Sequence, residues 1–206
     1  MPKITFLNLD KEKKDRVINS ALAFFSEKPY EQVMISDIIK KAKIPRGSFY
    51  QYFEDKEDLY LYLLNLIQET KLEFLGPTLQ NIANLSFLQL TRKLFEEGVK
   101  FALARPIHVK ILDLLLKNKN EIYQKVLAES MQMAETIYAN LIDQDKEKGL
   151  IRKDIDTHIF ARMILELTSN IAIDELDINN PEASFKRMLE KNDKILQIIE
   201  YGVKEG

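Results

Sequence analysis

Three features of the sequence predict an all-α chain. Apolar residues recur at three- and four-residue intervals along nearly its whole length. No useful stretch alternates with the two-residue period of a strand. Glycine and proline are few, six of each, and most fall where helices should start or end. Apolar residues make up 46% of the 206, enough for a real core, and the 30% that are charged are well mixed in sign. With no cysteine, disulfides, thiolate zinc sites and cysteine nucleophiles are excluded. The opening residues are too short and interrupted for a signal peptide, and no apolar run approaches the ~18 residues that span a bilayer. A cytoplasmic protein without membrane partners is the expectation.

The elements follow in order. Val17, Ile18, Ala21, Leu22, Phe24 and Phe25 mark one face of a first helix over about Asp10 to Lys28, with Lys11, Lys13, Lys14 and Arg16 on its polar turns. Asp37, Ile38, Ile39 and Ala42 fit a short second helix, broken at Ile44-Pro45 because proline disfavours a helical residue before it. Pro45 is well suited to open a third helix at Arg46-Gly47-Ser48. Lys56-Glu57-Asp58 opens a long fourth helix to about Leu75, its acids complementing the helix dipole. Leu59 to Leu64 is apolar nearly all round, as expected of a helix packed on more than one side, by the head and by a second body. Gly76-Pro77 is read as its stop. Further helices are expected near 86–104, 107–116, 120–148, 156–174 and 181–201, Gly149 and Asn179-Asn180-Pro181 separating the last three.

The chemistry concentrates between Ser36 and Leu59. No acid occurs between Ile38 and Phe53, whereas Lys40, Lys41, Lys43 and Arg46 do, beside Tyr50 and Tyr52. On a chain of net charge −2, this local cationic, aromatic surface suits a duplex phosphate backbone. Lys40 and Lys41 also fit a merely solvated face, and Phe49 and Phe53 suit core pins, as does one of the two tyrosines.

Gly47-Ser48-Phe49-Tyr50-Gln51-Tyr52-Phe53-Glu54-Asp55-Lys56-Glu57-Asp58-Leu59, with the helix before it, closely resembles the helix-turn-helix signature of TetR-type (TetR/AcrR) transcriptional regulators. Gly149 to Asp156 is similar to the approach to that family's eighth helix. The resemblance implies an N-terminal three-helix head (1–55), joined by a long fourth helix to a C-terminal ligand-binding and dimerisation domain (56–206), about nine helices in all. It implies a homodimeric repressor that leaves a near-palindromic double-stranded operator when a small-molecule effector binds, with no cofactor and no catalysis. It further implies DNA contacts from Lys43, Arg46, Ser48, Tyr50, Gln51, Tyr52 and Lys56. Arg46 is suited to guanine or phosphate, Gln51 to adenine, and Lys56 to phosphate.

Three positions depart from the family pattern. Met34 stands where a capping threonine is usual, Lys43 replaces a glycine often found in a left-handed conformation, and Pro45 replaces a hydroxyl cap.

Beyond the head, Phe74, Phe95, Phe101, His108, Tyr123, Met131, Tyr138 and Met163 are candidates to line an apolar effector pocket. Each also fits simple packing. Phe160, Ile164, Leu167 and Ile171 form one stripe, and Phe185, Leu189, Asn192 and Leu196 a second. The two stripes suit either the chain's own core or a two-fold four-helix dimer seam. Two rival readings are a helical ligand-binding or protein-interaction module without DNA binding, and an all-α enzyme using acidic residues with a metal. Neither the two histidines nor any nucleotide or nucleophile motif supports catalysis.

Overall fold

A computed structural model of the chain describes all residues except 119–120, 176, 178–179 and 204–206, and side chains are not described at 127–129 and 172–173. The described elements are α1 (Ile4–Leu7), α2 (Lys11–Phe25), a 3₁₀ turn (Tyr30–Gln32), α3 (Ile35–Ala42), α4 (Arg46–Tyr52), α5 (Lys56–Gln80), a second 3₁₀ turn (Ile82–Asn84), α6 (Phe87–Ala104), α7 (Pro106–Asn118), α8 (Glu121–Glu147), α9 (Thr157–Glu175) and α10 (Pro181–Val203). There is no strand among the described residues. The chain forms two compact units, Met1–Leu72 with Arg105–Asn118, and Glu73–Ala104 with Lys119–Gly206.

The first unit is built on aromatic residues. Phe6, Phe25, Phe49, Phe53 and Leu59 are fully buried. Two rings of α5 point to opposite sides of that helix, being two residues apart. Tyr60 packs on Phe25 and Tyr30, with ring centroids 4.6 and 5.1 Å away. Tyr62 packs on Phe6 and Phe53 at 5.5 and 6.0 Å. The all-round apolar start of α5 is thus used within this unit, which wraps the helix from both sides. Burial pushes the Tyr60 phenol well above its usual range. The entry to α5 is double-capped, with the Asp58 amide donating to Asp55 Oδ1 at 2.8 Å and the Glu54 amide to Asp58 Oδ2 at 3.0 Å.

Gly76-Pro77 does not stop α5, which continues to Gln80 with Pro77 inside it. Proline removes one backbone donor and can sit near a helix end where few bonds remain to be made. The short α1 leaves no mark in the sequence, since a single turn is below the length at which periodicity is visible.

Among the described residues, the second unit holds a larger and a smaller apolar cluster. The larger joins Leu85, Phe87 and Leu90 to Tyr138, Ile142, Ile151, Phe160, Ile164 and Leu196. The smaller joins Val99, Ile171, Phe185 and Met188. Gly149 ends α8 in the left-handed region at φ 71°. The Gly149 amide donates to Lys146 O at 3.1 Å, and that of Leu150 to Asp145 O at 2.8 Å, the paired bonds of a Schellman stop.

Candidate nucleic-acid interface

Helices α3 and α4 form the helix-turn-helix. With Met34 before it and no side-chain cap, α3 begins at Ile35. Its end repeats the Schellman geometry seen at Gly149. The Lys43 amide donates to Lys40 O at 3.3 Å and the Ile44 amide to Ile39 O at 3.2 Å. Here, however, the left-handed residue is Lys43, at φ 53° and ψ 47°. Pro45, extended at φ −61° and ψ 147°, starts α4 without any side-chain cap.

Along α4, Phe49 is fully buried, as is Phe53 just beyond it, so both are core pins. The opposite face carries Arg46, Gly47, Tyr50 and Gln51, all exposed and spaced three and four residues apart. Tyr50 is 44% exposed and stands edge-on to Phe49, with ring centroids 5.2 Å apart. Ser48 is half-buried and Lys43 exposed. Among the described residues neither Lys43 nor Arg46 has an acidic partner, so both charges stay available to an anion. A Cβ added at Gly47 would meet nothing within 4 Å. The protein's own packing therefore does not require glycine there.

Two expected contact residues are placed elsewhere. Tyr52 is 4% exposed, its ring packed on Phe6 at 5.9 Å, so it belongs to the core and cannot face a groove. Lys56 is committed internally. Its ammonium donates to the carbonyls of Tyr30 at 2.9 Å, Val33 at 3.1 Å and Glu31 at 3.4 Å, and lies 4.3 Å from the centre of the Tyr30 ring. All three of its donors are used, so it bolts the 30–33 turn to α5 rather than meeting phosphate.

The expected dimer stripes also face inward. Phe160, Ile164 and Leu196 lie in the larger cluster, and Ile171 and Phe185 in the smaller one, each at most 4% exposed. Asn192 is 2% exposed, and Leu167 and Leu189 are half-buried. The buried members of both stripes are taken up by the chain's own core, which leaves Leu167 and Leu189 as the partly exposed ones. The apolar surface of α9 and α10 is instead Ile159, Met163, Ile198 and Tyr201, 70%, 39%, 73% and 86% exposed. Periodicity marks both faces of such helices and does not say which one faces a partner.

Of the expected pocket residues, Phe74 and Phe101 meet edge-on at 5.6 Å. Phe95 packs against the smaller cluster and Met131 against the larger, while Tyr123 is half-buried. Tyr138 is buried against Phe87 and hydrogen-bonded to Thr91, and Met163 is surface-exposed. His108 belongs to the first unit, its pKa lowered by burial and then by Arg105. An open cleft of about 420 Å³ in the second unit, lined by Leu85, Arg92, Asp145, Lys148 and Glu200 among others, contains none of these eight. Asp145 there accepts from the Phe87 amide at 2.7 Å and so caps α6. Among the described residues no group of three or more acids and histidines is placed to hold a metal ion. No helix of the described residues is long and apolar enough to cross a membrane.

The model for bacterial regulatory proteins of the tetR family matches residues 17–63, the segment that holds α3, α4 and the start of α5. The HTH-type transcriptional regulator UidR of Escherichia coli K12 is 26% identical over 184 residues, 85% of this chain and 88% of UidR. The likeness to the uncharacterized HTH-type regulator YuxN of Bacillus subtilis is 44% identity confined to 55 residues, 27% of this chain and 19% of YuxN. The crystal structure of a TetR family transcriptional regulator from Chloroflexus aurantiacus superposes over the whole of both chains, with a TM-score of 0.72 at 26% identity. These relatives are regulators, not enzymes. The helix-turn-helix geometry, the matched segment and the full-length likeness together support a TetR-type transcriptional regulator, with a helix-turn-helix DNA-binding domain at its amino-terminal end.

Proposed function

We propose that the chain is a homodimeric repressor whose two heads sit in successive major grooves of a near-palindromic operator, and that a small apolar effector releases it. The observation that carries the reading is the outward stripe of α4, where Arg46, Tyr50 and Gln51 stand exposed over buried Phe49. A seven-residue helix presents few side chains, so these three and Ser48 read base edges while Lys43 meets phosphate. Residues 1–55 then serve recognition and 56–206 serve effector binding and pairing.

The pairing surface in this reading is the exposed set Ile159, Met163, Ile198 and Tyr201, large apolar side chains that a monomer gains nothing by leaving in water. In this reading the effector site lies beside the Phe74–Phe101 pair, where half-buried Phe74 meets buried Phe101 edge-on in apolar surroundings that suit an apolar ligand. Because α5 is continuous from Lys56 to Gln80, a shift of its far end moves its head end, and a coupling of ~1–3 kcal/mol suffices for partial induction.

The test is selection of bound duplexes from a random library by the purified chain. Enrichment of a near-palindrome with half-sites about one helical turn apart, or slightly more, is expected. Recovery of only unrelated sequences, or of none, contradicts the reading and favours a helical module that does not bind DNA.

A further inference from the structure

Helix α4 is too short to hold itself, and its C-terminal end shows what holds it. An α-helix leaves its last four carbonyls without helical donors. The Phe49 carbonyl is taken by the Phe53 amide at 2.9 Å. The other three are all taken by residues at the start of the chain. Lys3 donates from Nζ to Tyr50 O at 3.0 Å and from its backbone amide to Tyr52 O at 2.8 Å. Thr5 Oγ1 donates to Gln51 O. One turn on, Phe6 is fully buried among Tyr52, Phe53 and Tyr62, with the Phe53 ring 4.7 Å away. The Lys3 ammonium also lies 2.8 Å from Glu54 Oε2, and its charge sits at the negative end of the α4 dipole.

We infer that Lys3, Thr5 and Phe6 form a strap that caps and orients the recognition helix, making them positioning residues for DNA binding without touching DNA. The strap precedes the segment matched by the family model, which begins at residue 17. The two ends of α4 explain why it is needed. Its start has no side-chain cap, and Gly47 adds backbone freedom in its first turn. With seven residues it is well below the ~12–15 at which an isolated helix becomes even marginally stable. Apart from Phe49, its C-terminal carbonyls find their donors, among the described residues, only in the strap. Frayed at that end, Tyr50 and Gln51 lose the common face with Arg46 on which reading depends.

The inference rests on α4 being the element that reads DNA, and the test separates the two. Lys3→Pro removes the amide and the ammonium together, and the position tolerates proline because its φ is already −71°. Thr5→Val removes the hydroxyl at constant shape, and Lys3→Met removes the charge alone. Each is titrated, over a range of salt, against a 30-base-pair duplex that the unaltered chain has selected, and amide exchange is followed in α4 and α9.

Lys3→Pro is expected to weaken binding about tenfold and Thr5→Val about fivefold, as loss of helix caps does. The α4 amides should exchange faster, those of α9 should not move, and the salt slope should hold. Unchanged affinity and exchange in both variants overturns the strap. A salt slope shallower by about one in Lys3→Met, with α4 exchange unmoved, overturns it too, because that is the signature of a phosphate contact. If the unaltered chain selects no duplex, the DNA reading fails and the positioning role falls with it. Retained selection with unmoved variants sinks the strap alone.

Discussion

Lys43 and Gly149 hold equivalent places at the ends of two helices, each in the left-handed region and each with the same pair of closing hydrogen bonds. At φ 71° glycine is at ease, whereas a lysine at φ 53° carries a side-chain clash of ~1–2 kcal/mol. Lys43→Gly is therefore expected to raise stability by about 0.5–1 kcal/mol, the relief being partly offset by the looser unfolded chain. It should also weaken DNA binding with a shallower salt dependence, read from thermal melts and duplex titrations side by side. The departure from glycine was legible in the sequence, and so was its strain. Lys56 was not, because a lysine at a helix start looks the same whether its ammonium meets phosphate or three carbonyls of a turn. Lys56→Met keeps the stem and leaves those carbonyls to water, and should destabilise the chain by about 2 kcal/mol in chemical denaturation. No loss of stability would return Lys56 to the DNA surface.

Most helices are where three- and four-residue periodicity puts them, from α6 through α10, because apolar residues recurring at that spacing are the ones buried. The errors fall at punctuation and at partners. Pro77 reads as a stop, yet α5 runs past it by three residues. Pro77→Ala restores the missing backbone donor, and a gain of about 1 kcal/mol in the thermal melt is expected for an exposed position so near the helix end. A loss instead would mean that the proline fixes a bend the fold requires. The stripes of α9 and α10 were visible in the sequence, but not their direction. Asn192, in a stripe that suited either the chain's own core or a dimer seam, is 2% exposed. Tyr52 was ambiguous for the same reason, since alternate tyrosines on a short helix cannot both face outward.

For the whole molecule, Ile198 and Tyr201 stand out as large apolar side chains left 73% and 86% exposed. If the proposed dimer pairs here, Ile198→Glu with Tyr201→Glu should leave the helical content unchanged and convert it to monomer in sedimentation. Operator affinity should then fall by ~100-fold or more as the second head loses its effective concentration. A dimer that survives both changes places the seam elsewhere. The most direct test of the central claim is operator binding by Arg46→Ala and Tyr50→Ala. Both side chains are exposed. Each variant should melt like the unaltered chain and bind the selected duplex more weakly by about 1–3 kcal/mol. Full affinity in both would contradict the account.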